Sequence, residues 1–437
     1  MTRASSRTRI TNAKLVCSSG TVLDGGCLDI ENDSIAWVGS MDESPAWSGA
    51  VLNADGAVLA PGFTDLHVRS GEPGAEYRET LEETVAAALR GGFTRLCLTS
   101  NSSVNHDSRP IVEYLMRRSS EIGGSRLLPL GALTVGRSGQ RLAELFDLRD
   151  GGAVGFTDYD STVACAGLMR RALEYAKATG RPVFEFPNNP SLSGAGVIHE
   201  GEVSTRLGLK PVPSAAEEVR VYRAIALARL TQAPIHIGPI SSRSSVAAIR
   251  VAKEEGLPIT ASVLATHLKF CDHHILASWS TNLKVRPVLR TEDDRQGLIE
   301  GVLDGTIDAV SSGHEAMGLL DKQVPFPEAE FGLLGLQTTL SVLLELRREQ
   351  TDLELPLLVK RLTEGPARCL RQAPSRLLAG SRADLVLFRP DEESIVDAAS
   401  LGGRAQNTPL LGFKLPGVIT NTWVGGVLYE TPRKIRE

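Results

Sequence analysis

Short apolar runs separated by turns occupy the first sixty residues. Ala13–Cys17, Gly26–Ile30 and Ser34–Gly39 are spaced like strands of a small antiparallel unit. A longer run, Val58–Val68, is entered through Pro61-Gly62. The pattern then changes: short apolar runs alternate with helical stretches, as in Glu79–Arg90 followed by Phe93–Leu98. Ala153–Phe156, Pro182–Phe184, Pro234–Ile237, Ile259–Val263 and Ala309-Val310 continue the series. Repeated β-then-α units of this length predict a parallel sheet with crossover helices, here an α/β fold closed as a (β/α)8 TIM-type barrel. After residue 375 strands return, at Ala383–Phe388 and Thr422–Tyr429. The expected organisation is a barrel over 61–370, with a small β-rich domain assembled from 1–60 and 371–437.

Composition changes this picture little. With 437 residues the chain suits one large domain and an accessory one. A formal net charge of -5 gives no electrostatic reason for a nucleic-acid or membrane-surface partner. No apolar run reaches the roughly 18 residues of a spanning helix. The basic stretch Met1–Arg9 has no apolar segment behind it and reads as a frayed tail, not a secretory signal. Six cysteines (Cys17, Cys27, Cys97, Cys165, Cys271, Cys369) lack C-x-x-C spacing, as expected for reduced, mostly buried thiols of a cytoplasmic protein.

Barrels carry their chemistry at the C-terminal ends of strands. His67 and Arg69 end the first barrel strand and, two apart, share a face. His236 ends another strand, Gly313-His314 follow Asp308-Ala309-Val310, and Asp158 and Asp160 follow Phe156. A histidine in such a place serves equally well as a hydrogen-bonded core residue. His106 and His199 read as surface or loop residues. His273 and His274 lie on one helix and, being adjacent, do not share a face for a metal pair.

Pro61-Gly62-Phe63-Thr64-Asp65-Leu66-His67-Val68-Arg69, followed by Glu72-Pro73-Gly74, resembles the opening signature of the dihydroorotase family of cyclic amidohydrolases. Gly201–Ser204 with Gly208-Leu209 and Glu217, Lys322 and Phe326 with Ala329–Thr338, Gly380–Val386 and Asn407–Pro409 extend the likeness over nearly the whole chain. The resemblance implies a zinc-dependent barrel and a ring-amide substrate, and the departures cut against both. The family's His-x-His is His67-Val68-Arg69 here, and a guanidinium has no lone pair for a metal. Phe186 stands at the third histidine, and Gly313 at the carboxylate that binds metal and acts as base. His67, His236 and Asp158 remain as ligand candidates, with Tyr159 at a neighbouring acidic position and Asp160 still possible. That set falls short of a two-metal centre. Gly71 occupies the place of the arginine that holds the substrate carboxylate. Asn101, Arg286 (an asparagine in the family) and Arg290 are the substrate-binding remnants. His267 matches a family histidine that is not a ligand.

The leading expectation is therefore a non-catalytic dihydroorotase-like protein with no cofactor. The resemblance implies aspartate transcarbamoylase as partner, self-association being the other possibility, with barrel helices and the loop near Lys322–Gly332 as docking surface. A rebuilt mononuclear zinc hydrolase using Asp158 and His314 (or Glu315) is the alternative. A small-anion sensor using Asn101, Arg286 and Arg290 is a third. Loss of the metals would strand Asp158 in the interior, so Arg69 is expected either to pair with Asp158 or Glu185 in their place or to reach solvent at the barrel mouth.

Overall fold

The computed structural model describes residues 7–17 and 20–430. Eight barrel strands run in chain order: Phe63–Arg69, Phe93–Leu98, Arg126–Gly131, Gly155–Phe156, Val183–Glu185, Ile235–Ile237, Ile259–Leu264 and Ala309–Ser311. Each lies parallel to its neighbours in that order. The eighth strand breaks at Ser312-Gly313 and resumes at His314–Glu315, which pairs with Val68 and Arg69 of the first strand and closes the ring. The fold is a TIM-type α/β barrel.

Alternation sorts the strand residues. Val183, Ile235, Ile237, Ala261, Val263 and Val310 join the large core beneath the helices. Leu66, Cys97, Leu130, Phe184 and Ala309 form a separate cluster within the barrel. The interior is thus filled with side chains, as burial of two strand faces requires.

The run Val58–Val68 serves two sheets. Val58–Pro61 belongs to the terminal sheet and Phe63–Arg69 to the barrel. Gly62 makes the turn where a Cβ would lie 2.3 Å from Thr94 Cγ2, so no side chain fits there. In the terminal sheet Val58–Pro61 pairs with Leu385–Phe388, joining the two ends of the chain.

The expectation of a frayed tail fails for residues 7–9, which begin the strand Arg7–Val16; Met1–Ser6 lie outside the described residues. The reason is electrostatic. Arg9 donates from Nε to Asp29 Oδ1 at 2.6 Å and from Nη2 to Oδ2 at 2.7 Å, and both residues are buried. Four of the six cysteines are buried, while Cys17 is half-buried and Cys165 exposed. Among the described residues no helix is long and apolar enough to cross a membrane.

Candidate functional site at the barrel mouth

His67 and His236 meet inside the barrel, ring centroids 5.8 Å apart. Between them, on the inward face of the seventh strand, lies Ser262, whose Oγ is 2.9 Å from Nε2 of each histidine. One hydroxyl donates a single proton and accepts others, so it donates to one imidazole and accepts from its neighbour. His236 Nδ1 is a further 3.0 Å from Thr260 Oγ1. Burial lowers the pKa of both rings, that of His67 to about 3, so both are neutral at physiological pH.

The opposite wall is aromatic. Tyr159 adopts the left-handed conformation (φ 47°), and its ring lies 6.3 Å from His67 and 5.1 Å from Phe186. Phe184 adds a contact 4.8 Å from His236. After the fourth strand, therefore, the side chain that stacks in the mouth is Tyr159. Asp158 turns back toward the third-strand loop. Its Oδ1 accepts from Leu133 N at 2.8 Å and Thr134 N at 3.0 Å, and its Oδ2 accepts from Thr134 Oγ1. Burial raises this carboxyl to about 6, against the pull of those hydrogen bonds. Asp160 is held between Arg137 and Arg286, the latter donating from Nη1 at 2.9 Å.

The expected pairing of Arg69 with Asp158 or Glu185 is not found. Arg69 bonds to Glu315, its register partner on the resumed eighth strand. Directly opposed strand residues are the nearest available ion pair. Glu185 faces outward, because Phe184 takes the inward place in this three-residue strand. There it meets Arg220 at 2.8 Å and Arg223 at 2.7 Å, three residues apart on the helix Ala215–Thr231. His314 also leaves the mouth, with Nε2 3.0 Å from the buried Glu79.

The other candidates are dispersed. Asn101 accepts from Thr99 Oγ1. The Arg286 guanidinium lies 4.3 Å over the Phe331 ring besides pairing with Asp160. Arg290 is built into a buried network: it donates to Ser241 Oγ at 2.7 Å and lies 3.6 Å from Glu217. His106 and His199, expected on the surface, are buried, His106 by bonds to Leu130 O and Ser102 Oγ and His199 beside Arg290. His267 is buried and bonds to Pro287 O. In the loop near Lys322–Gly332, Lys322 turns inward and donates to Glu330 O at 2.7 Å.

This donor set does not fit a pair of zinc ions. Both Nε2 atoms are spent on Ser262, both Asp158 oxygens are engaged, and an aromatic ring and a guanidinium stand at two expected ligand positions. Among the described residues, no group of three His, Cys, Asp or Glu ligand atoms within 4.8 Å of one another includes His67, His236 or Asp158. Gly313 cannot simply regain a carboxylate: its φ is +64°, and a Cβ would meet Leu264 Cδ1 at 2.6 Å. Gly313→Asp should lose about 1–3 kcal/mol by overpacking, read as a lower urea midpoint, without gaining zinc affinity. Zinc-dependent stabilisation of that variant would contradict this geometry. Gly71 is equally closed to an arginine, since a Cβ would lie 2.5 Å from the backbone oxygens of Ala75 and Glu79.

The barrel with its two-ended sheet is an architecture shared with solved hydantoinases. L-hydantoinase from Arthrobacter aurescens superposes with a TM-score of 0.86, covering 98% of this chain and 97% of that one at 21% identity. A D-hydantoinase structure gives 0.80 over 96% of this chain and 94% of that one, at 19% identity. By sequence the chain belongs to the dihydroorotase-like family. The dihydro-orotase-like family profile matches residues 56–245. The dihydroorotase of Anaeromyxobacter dehalogenans (strain 2CP-C) is 40% identical over 91% of this chain and 92% of its own length. That of Caldanaerobacter subterraneus subsp. tengcongensis is 36% identical over 97% of this chain and 99% of its own length.

Proposed function

We propose that this chain is a non-catalytic member of the dihydroorotase-like family and serves as a structural subunit for aspartate transcarbamoylase. The observation that carries the first half is the Ser262 hydroxyl shared by His67 and His236. It uses the nitrogens that face each other across the mouth, and among the described residues no carboxylate stands near enough to complete a ligand set. The Arg69–Glu315 pair supports the same reading, since it ties the first strand to the eighth by charge. The partner is what the family resemblance implies, since some family chains with depleted metal sites assemble with that enzyme.

The names of the relatives favour a second reading, a working cyclic amidohydrolase. A single zinc would be held by His67, His236 and Asp158, with His314 or Glu315 as base. That reading requires His236 to give up Ser262 or Thr260 and Asp158 to leave Thr134, whereas His67 Nδ1 has no hydrogen-bond partner among the described residues.

One experiment separates them. Purified protein, with and without added zinc, is assayed for interconversion of dihydroorotate and carbamoyl aspartate, then sedimented with the cognate transcarbamoylase at micromolar concentration. Background turnover with co-sedimentation is the expected result. Zinc-dependent turnover abolished by His67→Ala would overturn the first reading in favour of the second, and failure to co-sediment would remove the proposed partner.

A further inference from the structure

A second cluster of ligand-type side chains lies away from the barrel histidines, in the segment joining the seventh and eighth strands. Cys271 precedes the short helix Asp272–Ser278. A sulfur of Cys271, a carboxylate oxygen of Asp272 and a ring nitrogen of His273 lie within 4.8 Å of one another. Cys271 and Asp272 are buried, whereas the His273 side chain is 60% exposed. His273 Nδ1 already lies 3.1 Å from Asp272 Oδ1. His274 Nδ1 lies 3.4 Å from Cys271 Sγ but is engaged by the Cys271 backbone N–H at 3.2 Å. Glu292, held by Arg295 and Gln296, faces the same thiol.

We propose that Cys271, Asp272 and His273 bind a zinc-class divalent cation, with water completing a four-coordinate site. A thiolate, an imidazole and a carboxylate form the mixed S/N/O set that zinc accepts, and sulfur with nitrogen disfavours magnesium and calcium, which take oxygen. Two ligands are fixed by burial. The third sits on an exposed side chain free to close over an arriving ion, so entry needs no opening of the core. Thiolate ligation releases the thiol proton, so affinity falls as pH falls. The site shares no residue with the barrel mouth, so its fate is independent of the reading given above.

Cobalt(II) titration of the full-length protein under reducing, anaerobic conditions tests this. The expected result is one equivalent bound per chain, with a thiolate-to-cobalt charge-transfer band that zinc abolishes. Cys271→Ser should remove the band, and His273→Ala, at an exposed position that leaves the fold intact, should weaken binding by at least about ten-fold. Cys165→Ser is the control, because Cys165 is the exposed thiol. A band that survives Cys271→Ser, disappears in Cys165→Ser, keeps its affinity in His273→Ala or is absent from the wild type would overturn the proposal.

Discussion

Glu217→Ala should destabilise the protein by about 3–5 kcal/mol, a large share of an ordinary domain's stability. Glu217 is buried at 2% exposure and gathers five hydrogen bonds. The backbone N–H and hydroxyl of Ser241 donate to it, as do those of Ser242 at 3.0 Å each. Although burial works to raise its pKa, Arg290 and these donors hold the carboxyl below the usual range. Removing the carboxylate strands the Arg290 guanidinium, 4% exposed, together with the freed donors. The cost is that of an uncompensated charge, not the worth of the pair. A Glu217→Leu, Arg290→Met double variant should accordingly lose less than Glu217→Ala alone. Urea unfolding of both variants decides the matter: a double variant as unstable as the single would mean that Arg290 does not need Glu217. The same network engages the Arg290 guanidinium within the interior.

Stability should also fall as the pH is lowered from about 6.5 toward 4. Burial lowers His67 to about 3, His106 and His267 to about 4, and His236 well below its ordinary value. Below pH 6.5 the unfolded chain takes up protons on these four rings that the native state refuses, and linkage favours unfolding. Their contribution is complete above pH 6.5 and is lost on the way down to the folded values. Asp65 and Asp158 act in the opposite sense. Burial raises both to about 6, so between pH 6 and 3.8 the native state binds their protons first and gains stability. Four histidines outweigh two acids across most of this interval. Urea midpoints at pH 7, 6, 5 and 4.5 should decline steadily, and His106→Asn should flatten the slope by about one proton. A midpoint that rose on acidification would mean that these rings are charged inside the folded protein.

The barrel was legible because buried strands and amphipathic helices leave different periods in the sequence, and Phe93–Leu98 coincides residue for residue with its apolar run. The third strand, Arg126–Gly131, escaped notice. Pro129 lies within it, pairing with Leu98, and a proline lowers the strand signal of so short a run. The residue types at positions 69, 186 and 313 could be read directly, because chemistry is written in residue type. Orientation was not. Whether Asp158, Tyr159 or Asp160 enters the mouth depends on one left-handed backbone angle at Tyr159, which no pattern announces. The partner of Arg69 depended on strand register, and the carboxylate it finds, Glu315, lies 246 residues away. The Cys271–His273 cluster was hidden because its helix was read for a pair of histidines, while the ligand atoms come from the turn that begins it.

The junction of Val58–Pro61 with Leu385–Phe388 bears on how the chain is made. During synthesis the N-terminal hairpins emerge first, and their strands pair among themselves. Val58–Pro61 is wholly buried in the finished protein, yet its antiparallel neighbour leaves the ribosome only after the whole barrel has been translated. Until then an apolar strand edge stands open, the kind of surface through which nascent chains stick to one another. Premature termination anywhere before residue 385 leaves that edge permanently uncovered. Truncated products should therefore collect as insoluble aggregates or as chaperone-bound species, even when every barrel strand is present.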